Sequence, residues 1–93
     1  MIIERGTGSV VLTANVLRRD YLCEWFGGND GELLAERARS GSARSAVAWG
    51  RARSARVVIE TGDGSTMWAG TAPAPEGVPQ PWEDVGEVVG RLF

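Results

Sequence analysis

Short apolar runs rich in β-branched residues open the chain and are typical of β-strands. Ile2 and Ile3 form the first run, and residues 9–13, with the sequence SVVLT, form the second. Residues 6–8, with the sequence GTG, separate the two runs and have the composition of a turn. The pattern therefore predicts two strands joined by a turn or an irregular connection.

Residues 15–26 fit two periodicities. A helix capped by Asn15 would place apolar residues on one face at four-residue spacing, with the charged residues 18–20 opposite. Its apolar face would carry Val16, Leu17, Tyr21, Leu22, Trp25 and Phe26. Tyr21, Cys23 and Trp25 also alternate with Asp20, Leu22 and Glu24, and aromatic residues favour strands. We predict a helix because the charged residues fall opposite its apolar face, and we keep a strand as the alternative.

The middle of the chain predicts a helix followed by a strand. Asn29 or Asp30 can cap a helix over residues 32–40, in which acidic residues come first and arginines last, as the helix dipole favours. After a Ser/Gly break, residues 45–53 alternate large and small side chains, which predicts a strand. One face of that strand would carry Val47, Trp49, Arg51 and Arg53.

The last third of the chain predicts a hairpin, a connector and a helix. Residues 56–60 and 65–69 flank a TGDG sequence that is typical of a hairpin turn. Four prolines make residues 71–81 a connector or a peptide-like arm, because proline lacks an amide donor. Residues 82–92 predict a terminal helix that two glycines weaken. Its apolar stripe would be Val85, Val88, Val89 and Leu92.

These elements predict one α+β domain spanning residues 1–93. We expect a small antiparallel sheet of four or five strands with two or three helices packed on one face. If residues 15–26 form a strand, the fold becomes mostly β, a small barrel or sandwich with a C-terminal helix. A chain of 93 residues has room for one hydrophobic core, and 43% of its residues are hydrophobic.

The amino-acid composition limits the reactions that the side chains of this chain can catalyse. The chain has no histidine, and all ten basic residues are arginine. It therefore lacks the commonest general base and metal ligand, as well as the lysine of a P-loop or a Schiff base. The sequence predicts no enzyme, no cofactor and no metal site. Abundant arginine, alanine and glycine match the high-GC genome of a bacterium or phage.

Cysteine content and hydropathy predict the compartment. Cys23 is the single cysteine, so no internal disulfide can form, and its apolar neighbours suggest a buried thiol. We find no apolar run of the roughly 20 residues that span a bilayer and no signal peptide pattern. We therefore expect a cytoplasmic protein without membrane contact.

Charge is segregated along the chain, whose net charge is −2. Residues 1–35 carry −2, residues 36–58 carry +5 and residues 59–93 carry −5. A basic centre between acidic ends is consistent with a phosphate-binding face, with an interface for an acidic partner, or with arginines that pair with the chain's own carboxylates.

The predicted function is therefore binding. We expect a non-catalytic protein-binding or assembly subunit, such as an inhibitor, an immunity-type protein or a particle component, with a protein partner or a homo-oligomer. Tryptophan and arginine dominate interface energetics, so the anchor candidates are Trp68, Trp82, Arg51 and Arg53. The alternative is a nucleic-acid-binding module. Its phosphate-binding candidates are Arg44, Arg51, Arg53 and Arg56.

Overall fold

A computed structural model of the chain describes residues 8–27, 33–62 and 64–75. This part of the chain forms five β-strands and one α-helix. In chain order these are β1 (Ser9–Asn15), β2 (Asp20–Gly27), β3 (Leu33–Ser40), α1 (Ala43–Arg51), β4 (Val57–Glu60) and β5 (Thr66–Trp68). The α+β class is confirmed. The described residues contain one helix where the sequence predicted two or three.

The five strands form one mixed sheet in the order β3-β2-β1-β4-β5. Neighbouring strands are antiparallel except for β1 and β4, which are parallel. The prediction of a purely antiparallel sheet is therefore wrong. Helix α1 is the reason, because a crossover helix returns the chain to the end of the sheet where β1 began, so that β4 runs in the direction of β1.

Residues 15–26 contain a turn and strand β2, so the helix predicted there is wrong and the strand alternative is correct. Tyr21, Cys23 and Trp25 are buried, and the residues between them are half-buried. A period of two puts these three side chains on one face of the sheet, where the helix packs. The four-residue spacing of Leu17, Tyr21 and Trp25 was coincidental, because Leu17 lies in the turn.

Residues 33–40 form the edge strand β3, so the helix predicted at 32–40 is also wrong. The charges of this strand pair across the sheet: Arg37 Nη2 lies 3.0 Å from Glu24 Oε2, and Arg39 Nη1 lies 3.5 Å from Asp20 Oδ2. Arg37 is opposite Glu24 in the strand register. Strong helix formers thus adopt a strand because cross-strand partners, distant in sequence, outweigh local propensity.

Residues 43–51 form α1, so the strand predicted at 45–53 is wrong. The buried residues of the helix are Ala43, Ala46, Val47 and Gly50, a helical spacing. The small residues of the predicted strand divide between two sides of the helical segment, because Ala46 and Gly50 are buried whereas Ala48 and Ala52 are exposed. A Cβ built at Gly50 would lie 3.0 Å from Val10 Cγ1 and 3.1 Å from Val57 Cγ1. Small side chains therefore let α1 lie close to the sheet.

Ser42 caps the amino terminus of α1, and its Oγ accepts a hydrogen bond from Ser45 N at 3.1 Å. We expect Ser42→Ala to lower the free energy of unfolding by about 1 kcal/mol, because it removes the acceptor of that amide. Urea denaturation followed by tryptophan fluorescence measures the loss. Ser45→Ala is the matched control, since it keeps the amide and the cap. Equal losses in the two variants would contradict a capping role for Ser42.

The core lies between α1 and one face of the sheet. Strands β1, β2 and β4 supply its alternate residues, and the helix supplies its small face. Its sheet residues are Val10, Leu12, Ala14, Tyr21, Cys23, Trp25, Val57 and Ile59. Cys23 is fully buried, as its apolar neighbours in the sequence predicted.

The late hairpin is confirmed as β4 and β5. Thr61 N donates to Ser65 O at 2.8 Å, and the Thr61 hydroxyl also bonds the backbone of Ser65, which closes the turn. Residues 71–75 of the proline-rich connector lie in neither strand nor helix. The strand predicted at Ile2 and Ile3, connector residues 76–81 and the helix predicted at 82–92 lie outside the described residues, so these stay predictions.

Candidate functional site

Arg53 is held by three groups of its own chain. Its Nε and Nη2 donate to the two carboxylate oxygens of Glu36 at 3.1 and 2.7 Å. Its Nη1 donates to Trp49 O at 2.8 Å, and its guanidinium carbon lies 3.9 Å from the centre of the Trp49 ring. Arg53 therefore links the end of α1 to strand β3 and covers the half-buried indole of Trp49.

The pH dependence of the Arg53–Glu36 pair follows from this geometry. The hydrogen bonds from Arg53 lower the pKa of Glu36 below its ordinary value of 4.5. A lowered pKa in the folded state adds stability that is present above pH 4.5 and is lost as pH falls through the folded value. Because Glu36 is 43% exposed, solvent screening limits the pair to about 1 kcal/mol or less.

We therefore expect Glu36→Gln to be slightly less stable than the wild-type chain at pH 7, by no more than about 1 kcal/mol. Below the folded pKa the two should be equally stable, since the wild-type carboxyl is then also neutral. Urea denaturation at neutral and strongly acidic pH measures both differences. A difference that persists at acidic pH would show that the pair acts through packing and not through charge.

Two more arginines of the predicted sites donate to backbone carbonyls. Arg51 Nε bonds Ala69 O at 2.7 Å, and Arg56 Nε bonds Gly8 O at 2.9 Å. Arg44 lies on the exposed side of the first turn of α1. It is separated from Arg51 by about 10 Å along the helix axis. The structure thus spreads the four phosphate-binding candidates along α1 and beyond, and engages them in intramolecular contacts.

The tryptophan candidates are placed differently from one another. Trp68 is only 7% exposed, and its Nε1 donates to Ala72 O at 2.8 Å. A partner could reach its indole only if the segment around Ala72 moved. Trp82 lies outside the described residues. Partner binding through either tryptophan stays a prediction.

The turn between β1 and β2 presents apolar side chains that the sequence analysis assigned to a helix face. Leu17 is 96% exposed and Val16 is 49% exposed. Arg18 and Arg19 follow them and are also exposed. A sequence signal existed: once β1 and β2 are taken as paired strands, Val16 and Leu17 must lie in their connecting turn, where polar residues are usual.

The face of the sheet opposite α1 is a second apolar surface. Val11, Leu22, Phe26 and Val58 alternate with the core residues of their strands and are half-buried. The ion pairs of Arg37 and Arg39 border this face beside β3.

Catalytic and metal-binding groups are sparse in the structure. In residues 8–27, 33–62 and 64–75, no three cysteine, aspartate or glutamate side chains cluster as metal ligands would. Burial raises the pKa of the Cys23 thiol, so the reactive thiolate is disfavoured. The helix in this part of the chain is too short and too polar to cross a bilayer.

Comparison with protein-family models, with curated proteins and with solved structures finds no match to this chain.

Proposed function

We propose that this chain is a non-catalytic protein-binding or assembly subunit. The observation that carries the proposal is the exposed apolar turn, where Leu17 is 96% exposed and hydrogen bonds to Asn15 close the backbone. The structure encloses Leu12, Tyr21 and Trp25 of the flanking strands β1 and β2 in the core and leaves Leu17 outside it. An exposed apolar group at a fixed position is available for burial by a partner.

The chemistry of the chain supports binding over catalysis. It has neither imidazole nor primary amine side chains, and its one thiol is buried beneath α1. General bases and nucleophiles need a group that is both accessible and suitably ionised. A cytoplasmic location agrees with the free thiol and stays a prediction.

The arginine contacts favour a protein partner over a nucleic acid. A phosphate would have to compete with Glu36 for Arg53 and with backbone carbonyls for Arg51 and Arg56. Pairing of Arg37 and Arg39 with carboxylates neutralises more of the basic centre. Nucleic-acid affinity depends on the number of phosphates that free cations neutralise, and most guanidinium groups of the described residues already have intramolecular contacts.

Two measurements test the proposal. In an extract of the source organism, the tagged chain is expected to migrate in a complex of defined size, well above its own 9.9 kDa. Migration at the mass of the chain alone, also after chemical crosslinking, would contradict the proposal.

The second measurement is fluorescence anisotropy with labelled single- and double-stranded oligonucleotides at low ionic strength. The wild-type chain is expected not to bind. Binding that weakens steeply with salt and is reduced in an Arg56→Gln variant would instead establish the nucleic-acid function.

A further inference from the structure

We propose that the turn Asn15–Arg19 is a docking tip, in which Leu17 inserts into an apolar pocket of a protein partner while Arg18 meets an acidic rim of that pocket. This inference rests on the proposed function and identifies the surface that performs it. The turn lies at the end of the sheet where β1 passes into β2. It therefore projects from two central strands of the fold.

The backbone of the tip is fixed by its first residue. Arg19 N donates to Asn15 O at 2.7 Å, and Arg18 N donates to Asn15 Oδ1 at 3.1 Å. Arg19 has a φ of +55°, in the left-handed region that residues with a Cβ rarely adopt. A non-glycine residue in this conformation, held by two hydrogen bonds across the turn, defines one shape. Binding then costs little ordering of the backbone.

The apolar part of the tip is two adjacent side chains. Leu17 is 96% exposed and Val16 is 49% exposed, whereas Leu12 and Tyr21 in the flanking strands are 1% exposed. Burial of a leucine side chain is among the larger gains that one residue can contribute to association. Because the turn directs Leu17 away from the core that the described residues form, that gain is available from a partner.

The charge of the tip is opposite to that of the whole chain. Arg18 makes no ion pair or side-chain hydrogen bond within the described residues, and Arg19 is exposed beside it. Asp20, the nearest carboxylate along the chain, pairs with Arg39 at 3.5 Å. A basic tip on a chain of net charge −2 therefore favours an acidic site on the partner at this position.

A protein pocket fits these observations better than a lipid bilayer. Electrostatic attachment to an anionic membrane uses clusters of several basic residues, and the tip has two. Stable membrane attachment also needs a broader apolar surface than one exposed leucine and one half-exposed valine. A single protruding leucine with a neighbouring guanidinium matches a small pocket with a charged rim.

The test compares four forms of the full-length chain as immobilised bait: wild type, Leu17→Ser, Arg18→Gln and Leu34→Ser. Leu34 is the matched control, because it is a 43% exposed leucine on β3, opposite Phe26 at the end of β2 remote from the turn. Proteins retained from an extract of the source organism are quantified by mass spectrometry. The protein retained by wild type is then purified for titration.

Wild type and Leu34→Ser are expected to bind this protein equally. Leu17→Ser should weaken binding roughly 10- to 100-fold, and Arg18→Gln should slow association and flatten its dependence on salt. Thermal unfolding of Leu17→Ser is expected to match wild type, which separates lost contact from lost folding.

The alternative outcomes are distinct. A partner that binds Leu17→Ser as tightly as wild type would overturn the docking tip and leave the proposed function intact. Retention of no protein by any form would contradict the proposed function itself. Cosedimentation of wild type, but not Leu17→Ser, with vesicles of phosphatidylcholine and phosphatidylglycerol would replace the protein pocket by a membrane.

Discussion

Replacement of Gly8 by alanine is expected to lower the free energy of unfolding by about 3 kcal/mol or more. Gly8 has a φ of +72°, and a Cβ built there would overlap the carbonyl oxygen of Phe26 and lie 2.9 Å from its carbonyl carbon. These are backbone atoms of the neighbouring strand, so no side-chain rotation relieves the overlap. Gly8 O also accepts hydrogen bonds from Ser54 Oγ and Arg56 Nε, at 3.0 and 2.9 Å, which a shift of Gly8 would strain.

Substitutions at two other glycines separate the conformational contribution to this loss of stability from the steric one. Gly64 has a φ of +90° and open space around a built Cβ, so Gly64→Ala should lose only the conformational term, about 1 kcal/mol. Gly41 has neither a positive φ nor a neighbour within 4 Å, and Gly41→Ala should change little. Urea denaturation of all three variants gives the ranking. Equal losses at Gly8 and Gly64 would show that β1 and β2 are not as close at Gly8 as the structure places them.

Leu12→Ala is expected to cost about 2–5 kcal/mol, whereas Leu17→Ala should cost less than about 0.5 kcal/mol. Leu12 is 1% exposed, in the central strand of the sheet beneath α1, and its truncation leaves a cavity in close-packed surroundings. Leu17 is 96% exposed, so its truncation leaves none. The same substitution at two leucines of one β-hairpin thus gives a direct comparison.

Chemical denaturation followed by tryptophan fluorescence measures both variants. The comparison also distinguishes the observed turn and strand from the helix that the sequence predicted over residues 15–26. In that helix Leu17 would share a buried face with Tyr21 and Trp25, and Leu17→Ala would be costly. A large loss at Leu17 would therefore contradict the turn and remove the basis of the docking tip.

The errors of the sequence analysis fall between residues 15 and 53. In β2, Tyr21 and Trp25 fit both the two-residue period of a strand and the four-residue spacing of a helix. The pattern alone therefore did not choose between the two. In β3, residues with high helix propensity form a strand because Glu24 and Asp20 on β2 supply partners for Arg37 and Arg39. At 45–53 small residues alternate with large ones, but only Ala46 and Gly50 of the small residues lie on the buried side of α1, where Gly50 approaches Val10 and Val57.

The exposed turn was not among the sequence-based candidates for a related reason. Tryptophan and arginine were chosen by residue type, but type does not reveal whether a side chain is already engaged. Arg53 is held by Glu36 and Trp49, and Trp68 is buried with its indole N–H bonded. Leu17 was assigned to a helix face, although its position between two paired strands exposes it.

The sequence by itself determined the features that depend on neighbours along the chain: strand β1, the β4–β5 hairpin, the buried thiol of Cys23 and the absence of imidazole and amine chemistry. Only the tertiary structure decided the identities of β2, β3 and α1, the parallel pairing of β1 with β4, and which arginines and apolar side chains remain available. The physical reason is one of magnitude. Local propensities differ by less than about 1 kcal/mol per residue, so burial and cross-strand contacts between distant residues decide wherever two periodicities compete.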